Sequence, residues 1–337
     1  MKLLHTHTQP LTVAALVALI GLAAGCSEAP ETGNKKGLNV ASTVAPITSI
    51  VAAVGGDRIN VTGVIPEGTN SHTYEPKPSI AETLAGADVL YVNGLGLEEP
   101  TVSIARQVMP SGSEIVALGN RALPRADWIY DFSFPRSNGK PNPHLWTNPP
   151  MAVAYARIVR DDLSERDPRG EAVYQANYKR FAAAAGRLDG AMKESFATIP
   201  SSKRKLLTYH DGYAYFAREY GFQVVGAIQS SDFEDPTPHE VADLIDQIRA
   251  EKVPAIFGSE VFPSPVLAQI SRETGVRYVD QLRDDDLPGA PGEPQHSWTE
   301  LMRFNYQVMT KALGGDGSAL SDLQLPATPS DTADYPQ

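Results

Sequence analysis

Cysteine occurs once in the 337 residues, at position 26, which excludes a disulfide within the chain and a cage of thiolate metal ligands. Long apolar runs are missing as well. The longest uncharged one, Leu11 to Gly25, has 15 residues, short of the roughly 20 that a membrane-spanning helix needs. Positive charge is in deficit, with 29 basic against 40 acidic residues and a formal net charge of −11. That balance argues against a nucleic-acid partner and suits attraction of cations or plain solubility. Histidine is scarce, at seven residues. The length permits two domains.

The apolar run has the flanks of an export signal. Lys2 precedes it, and it closes on Leu22-Ala23-Ala24-Gly25-Cys26, small residues before a cysteine as in a bacterial lipobox. Residues 1–25 are therefore expected to be a lipoprotein signal peptide, with Cys26 acylated and the mature chain anchored outside the cytoplasmic membrane. Loss of Lys2 would take the balance to 28 − 40 = −12. Residues 26–37, rich in Ser, Glu, Pro, Thr, Gly, Asn and Lys, read as a flexible tether.

From residue 38 the pattern alternates. Strands are expected at 38–44, 60–66, 87–93 and 114–118, and again at 205–209, 223–228, 255–259 and 276–280. Helical stretches fall between them, near 47–54, 79–85 and 101–108, then 213–220, 239–252, 265–274 and 298–313. Such alternation predicts an α/β fold of two lobes, 38–149 and 200–316, each a mainly parallel four-stranded sheet flanked by helices. Residues 150–199 form the linking helical segment. Residues 317–337, with Pro326, Pro329 and Pro336 and few apolar side chains, are expected to be a disordered tail.

Within the linker, Tyr174, Tyr178, Phe181, Ala185, Leu188, Met192, Ser195 and Ile199 recur in steps of three and four. That is one apolar stripe of a single helix from Pro168 to Ile199, N-capped by Asp167 and stopped by Pro200. Roughly 30 helical residues span about 45 Å, more than a small domain's diameter, so the helix should run along both lobes. Two shorter helices broken near Gly186 or Gly190 are the alternative.

Chemistry-bearing residues share one topological address. His5 and His7 leave with the signal, and three of the five remaining histidines follow strands: His72, His144 and His210. Asp280 stands at the expected end of the last strand. Ligands of open parallel sheets bind beyond the carboxyl ends of strands. Two such edges facing each other would bring His72 and His144 toward His210 and Asp280, a nitrogen and oxygen set that suits a divalent transition metal.

The sequences around these residues carry a resemblance. Gly68-Thr-Asn-Ser-His72-Thr-Tyr-Glu-Pro-Lys-Pro78, Pro143-His144-Leu-Trp146-Thr-Asn-Pro149, His210-Asp-Gly-Tyr-Ala-Tyr-Phe-Ala-Arg-Glu-Tyr-Gly221 and Asp280-Gln-Leu282 resemble, in order, the four ligand motifs of the bacterial zinc/manganese solute-binding family (family 9). Val92-Asn-Gly-Leu-Gly-Leu-Glu98 and Pro254-Ala-Ile-Phe-Gly-Ser-Glu260 also look like family sequence. The likeness runs from about Leu38 to Leu313. It implies two α/β lobes on a rigid helix, a metal bound between them by His72, His144, His210 and Asp280, delivery to an ABC importer permease, and no chemistry on the cargo; the chain is expected to be a monomer. Three features depart from the pattern. Ala126–Asn142 lacks the histidine-rich loop of many zinc-uptake members, Asn148 replaces a frequent acidic residue, and the third ligand is histidine where manganese-type members often have glutamate.

Three neutral imidazoles and one carboxylate suit tetrahedral zinc, with manganese the alternative should oxygen donors increase the coordination number. An extracellular zinc hydrolase would need an open coordination position and a general base, and no His-Glu-x-x-His is present. A surface adhesin is the other class; no residue speaks for or against it. His239 and His296, at helix starts, read as solvated, and Asp284-Asp285-Asp286 as a solvated turn. Asp211 is expected to point away from His210. Glu75 and Trp146 are candidate cleft-lining residues, and Gly94-Leu-Gly96 is too weak a pattern for a nucleotide site.

Overall fold

The computed structural model describes residues 37–229, 236–259, 264–283 and 285–336. The predicted signal, Cys26 and all of the tether but Gly37 lie outside them. Eight strands form among the described residues: β1 Leu38–Ser42, β2 Ile59–Gly63, β3 Val89–Val92, β4 Glu114–Ala117, β5 Lys205–Thr208, β6 Gln223–Ala227, β7 Ala255–Ser259 and β8 Arg277–Leu282. They make two four-stranded sheets of the same permuted order, β2-β1-β3-β4 and β6-β5-β7-β8, parallel throughout. Every residue of β3 and β7 is buried, as expected of central strands covered by helices on both faces. The chain is thus the two-lobed α/β protein predicted from its alternation.

Between the sheets lies a helical hairpin. Pro149–Arg166 is followed by a short 3₁₀ turn at Pro168–Gly170 and then by an unbroken 27-residue helix, Glu171–Ala197. Tyr174, Phe181, Ala185, Leu188, Met192 and Ser195 are buried along it, the predicted stripe. Asp167 does not cap this helix with its side chain; its carboxylate instead accepts from Arg58 (2.6 and 2.8 Å) and from Tyr174 (2.8 Å). The long helix joins both lobes. Asn177 donates to the carbonyl of Val54 in the first (3.0 Å), and Asp189 accepts from Tyr220 of the second (2.7 Å). Trp298, at the start of the Trp298–Ala312 helix, packs on Phe181 (5.4 Å between ring centres), donates from its ring to the carbonyl of Trp146 (2.9 Å) and from its backbone N–H to the Ser49 hydroxyl oxygen (2.9 Å). One apolar core therefore runs through both lobes.

Three expectations are corrected here. The described part of the expected tail, 317–336, does not trail free: Asp334 pairs with β2 through Gly63 N–H (2.8 Å) and the Val61 carbonyl (3.2 Å), and Asp331 and Ala333 are buried. β2 is an edge strand with unpaired backbone groups, and backbone pairing needs no apolar composition. His296 is not solvated but fully buried, with Tyr335 of the same tail packed edge-on against it at 6.0 Å. His239 is exposed as expected, beside Asp243. β8 continues to Leu282, so Asp280 sits inside the strand with its side chain exposed, instead of at the strand's carboxyl end.

A Cβ added at Gly186 or Gly190 would meet nothing within 4 Å. Replacing both by Ala should therefore stabilise the helix by about 0.5–1 kcal/mol per site, read as a higher midpoint in chemical denaturation. A lower midpoint would contradict the regular, unkinked helix.

Candidate metal centre

The loop after β2 is built to present His72. Its N–H donates to the Asn70 side-chain oxygen (2.9 Å), and the Tyr74 hydroxyl donates to the Val64 carbonyl (3.0 Å). His144 is held more tightly. Asn142 Oδ1 accepts both from the His144 N–H (3.1 Å) and from its ring Nδ1 (2.9 Å), while Asn142 Nδ2 donates to Asp131 Oδ2 (3.0 Å) and to the Asp211 carbonyl (2.9 Å). With both amide hydrogens so used, the side-chain oxygen faces the ring. Nδ1 must then carry the proton and Nε2 the lone pair. His210 leaves β5 in a tight turn. Its carbonyl accepts from the Thr208 hydroxyl (2.7 Å) and the Gly212 N–H (3.0 Å). A Cβ at Gly212 would come within 3.0 Å of His210 Nε2, so glycine there leaves the nitrogen clear.

These loops bring the three imidazoles together. Ring centres lie 5.0 Å (His72 to His144), 5.8 Å (His72 to His210) and 4.9 Å (His144 to His210) apart, and one nitrogen from each falls within 4.8 Å of the others. His72 Nε2 and His144 Nε2 stand 3.0 Å apart. Two nitrogens bound tetrahedrally to one zinc ion, each at about 2.0 Å, would be roughly 3.3 Å apart, so the pair needs only a few tenths of an ångström. Burial, and then the neighbouring His210, hold the His72 and His144 rings well below the ordinary imidazole range. They remain neutral, as metal ligands must.

Asp280 does not belong to this group. The carboxylates that reach across from the second lobe come from the acidic triplet read as a solvated turn. Asp285 accepts from the hydroxyl of Ser71, the residue before His72 (2.6 Å), and Asp286 accepts from the Gly68 N–H (2.9 and 2.8 Å). Asp284 lies outside the described residues. Asp211 is buried beside Asp131, and burial followed by that neighbouring charge pushes its carboxyl well above the usual range. Trp146 packs on the His144 ring at 5.0 Å, whereas Glu75 is exposed. Asn148 supports the neighbouring helix by donating to the Tyr215 carbonyl (3.4 Å) and does not bond His144. Asn142, Asp131 and Phe134 join the site without standing at a strand end, the address that marks the histidines. The proline pair flanking Asn142, directly before His144, was the available signal.

The family described as zinc-uptake complex component A, periplasmic, matches residues 40–312. The chain is 27% identical over 298 residues to the manganese-binding lipoprotein MntA of Halalkalibacterium halodurans, covering 88% of this chain and 96% of that one. It is 29% identical over 303 residues to the iron-binding protein YfeA of Yersinia pestis, covering 90% and 94%. The fold is that of the periplasmic zinc-binding protein TroA from Treponema pallidum, with a TM-score of 0.74 at 23% identity over 82% of this chain and 99% of that one.

Among the described residues, Asn142 is the one side chain that bonds the His144 ring away from the other imidazoles. Asn142→Ala should weaken cation binding by about 10–100-fold, the usual cost of losing a ligand's supporting partner. Calorimetric titration with zinc checks this, and an unchanged affinity would remove Asn142 from the site.

Proposed function

Because this chain belongs to the family of the periplasmic zinc-uptake complex component A, we propose that it is an extracytoplasmic receptor for a divalent transition metal, zinc in preference, which it passes to the permease of an ABC importer. In this reading the protein is a monomer tethered through lipidated Cys26 to the outer face of the cytoplasmic membrane, and the metal is cargo on which no reaction is done. The observation that carries it is the cluster of three imidazoles, with nitrogens within 4.8 Å of one another. No helix of the described residues is long and apolar enough to cross a membrane. The relatives' names support the class of cargo and not one ion.

His72, His144 and His210 are the proposed ligands. For the fourth donor we favour Asp285 over Asp280, because Asp285 is bonded to the residue next to His72 whereas Asp280 is exposed within β8. Neutral imidazoles favour zinc over manganese. A carboxylate bound through both oxygens would raise the coordination number and move the preference toward manganese. Metal analysis of the purified protein, followed by zinc-versus-manganese competition, decides between them. Zinc displaced by equimolar manganese would reverse the preference.

His210→Ala should lower zinc affinity by more than the roughly 10–100-fold typical of a supporting residue. Asp285→Asn should lower it clearly, and Asp280→Asn should leave it unchanged. The reverse order for the two aspartates would restore Asp280 as the ligand.

Protons compete with the metal for the ring nitrogens, so affinity falls as pH falls. The His72 and His144 rings are held below the ordinary value of 6.5, so the loss should set in below that pH and affinity should be flat above it. Titrations between pH 8 and pH 4 check this; an affinity that already falls between pH 8 and 7 would contradict it. The metal-free fold should weaken over the same range below 6.5, because the unfolded chain takes up protons that the buried rings refuse.

A further inference from the structure

A cavity of about 390 Å³ opens on the first lobe and reaches His72. It adjoins a groove of about 670 Å³ between β4 and the Glu99–Val108 helix, and the two share Leu95, Gly96 and Glu99 in their walls. Of the three imidazoles only His72 lines the cavity; His144 and His210 are buried behind it. Phe134 lines it too, and its ring stands 5.9 Å from that of His72 and 5.8 Å from that of His144. The structure assigns this cavity as the route by which the cation reaches the imidazoles, with the Phe134 ring as the gate across it. The assignment rests on the receptor reading above.

The two walls are built differently. One is the turn from Asn93 to Glu98, where Gly94, Leu95 and Gly96 take φ values of 81°, 56° and 86° in succession. The buried Glu98 carboxylate ties that turn down by accepting from the N–H groups of Asn93 (2.7 Å) and Gly94 (3.0 Å) and from the Thr43 hydroxyl (2.7 Å). This wall is fixed. The facing wall is the segment 131–142, pinned near its ends. Asp131 Oδ1 accepts from the Phe134 N–H (2.9 Å) and Asp131 Oδ2 from Asn142 (3.0 Å), while residues 136–140 between them are exposed.

Residues 136–140 can move with little loss of buried surface, whereas the Phe134 backbone is tied to Asp131 by two hydrogen bonds (2.9 and 3.1 Å), so the gate opens by rotation of the Phe134 ring. Asn142 is also the residue that orients His144, so one amide serves both the gate and a ligand. The mouth holds one acidic and one basic side chain, Glu99 and Lys140. Their charges offset each other, which leaves the ring as the main obstacle to passage.

A gate alters the rates of capture and release together and leaves the equilibrium nearly alone. Stopped-flow capture of zinc, and release of zinc to an excess of chelator, test this on the protein and its Phe134→Ala variant. Both rates should rise by about tenfold or more, the change expected when a barrier drops by about 1.4 kcal/mol, with the affinity kept within about threefold. Phe134→Leu should fall between, and Asn138→Trp, at the rim, should slow both. Wild-type rates in Phe134→Ala would overturn the gate. So would faster release with unchanged capture, which is the signature of a ring that only packs on the ligands. Failure of the unaltered protein to take up zinc or manganese at all would instead remove the receptor reading, and the gate with it.

Discussion

Three imidazoles are held so that one nitrogen of each lies within 4.8 Å of the others, and the rest of the site follows from that. Burying a polar group without a partner is costly, and burying a charged one costs far more. The protein avoids the larger cost by keeping the His72 and His144 rings neutral. The smaller cost is reduced by letting His72 Nε2 and His144 Nε2 meet at 3.0 Å, close enough to share one proton. In the proposed receptor, a cation would exchange that single hydrogen bond for bonds to every nitrogen that faces it. Its binding energy is then spent little on bringing the ligands together, because folding has already done so.

What folding arranges first is the frame. The two sheets do not meet on a flexible strand pair but on a helical hairpin and a shared apolar core, with Trp298 bonded to Trp146 and to Ser49. Bending the Glu171–Ala197 helix would break backbone hydrogen bonds and disturb packing in both lobes at once. Large closure is therefore disfavoured, and movement falls to the loops beyond the strand ends. The three histidines sit on those loops, as do Asp285, Asp286 and Phe134. Each lobe keeps its own sheet while the loops from both meet over the site.

The frame was legible in the sequence because strands buried on both faces read as short apolar runs, and because the helix between the lobes keeps one stripe over its whole length. The histidines were legible for a related reason: parallel sheets place ligands beyond their strand ends, and three histidines stood at such places. The misreadings share a different cause. Asp280 looked terminal because the strand's pattern fades there; in β8 Asp280 and Gln281 are both exposed in succession, and the register between β7 and β8 shifts between Phe257 and Ser259. Asp286 and Gly68 lie 218 positions apart. No local pattern could show that a run of aspartates would serve the His72 loop in place of solvent. Tyr335 covers His296 from a tail whose composition suggests disorder, so one long-range contact accounts for both of those errors.

Ion choice cannot lie in the frame itself, since proteins named for zinc, manganese and iron are similar to this chain along nearly its whole matched length. It must lie in the donors and in how far each can move. Three imidazoles alone follow the general affinity order, in which zinc binds more tightly than manganese. To reverse that order a site must add hard oxygen donors at longer distances, and here the oxygen would come from a loop of the second lobe. Asp285 is already engaged by Ser71 and cannot approach the imidazoles freely. The hydrogen bond that brings the carboxylate to the site would also limit how many of its oxygens could reach a bound metal. In the proposed receptor, a donor set rich in nitrogen, with its carboxylate restrained in this way, would favour the ion that accepts four ligands over one that asks for six.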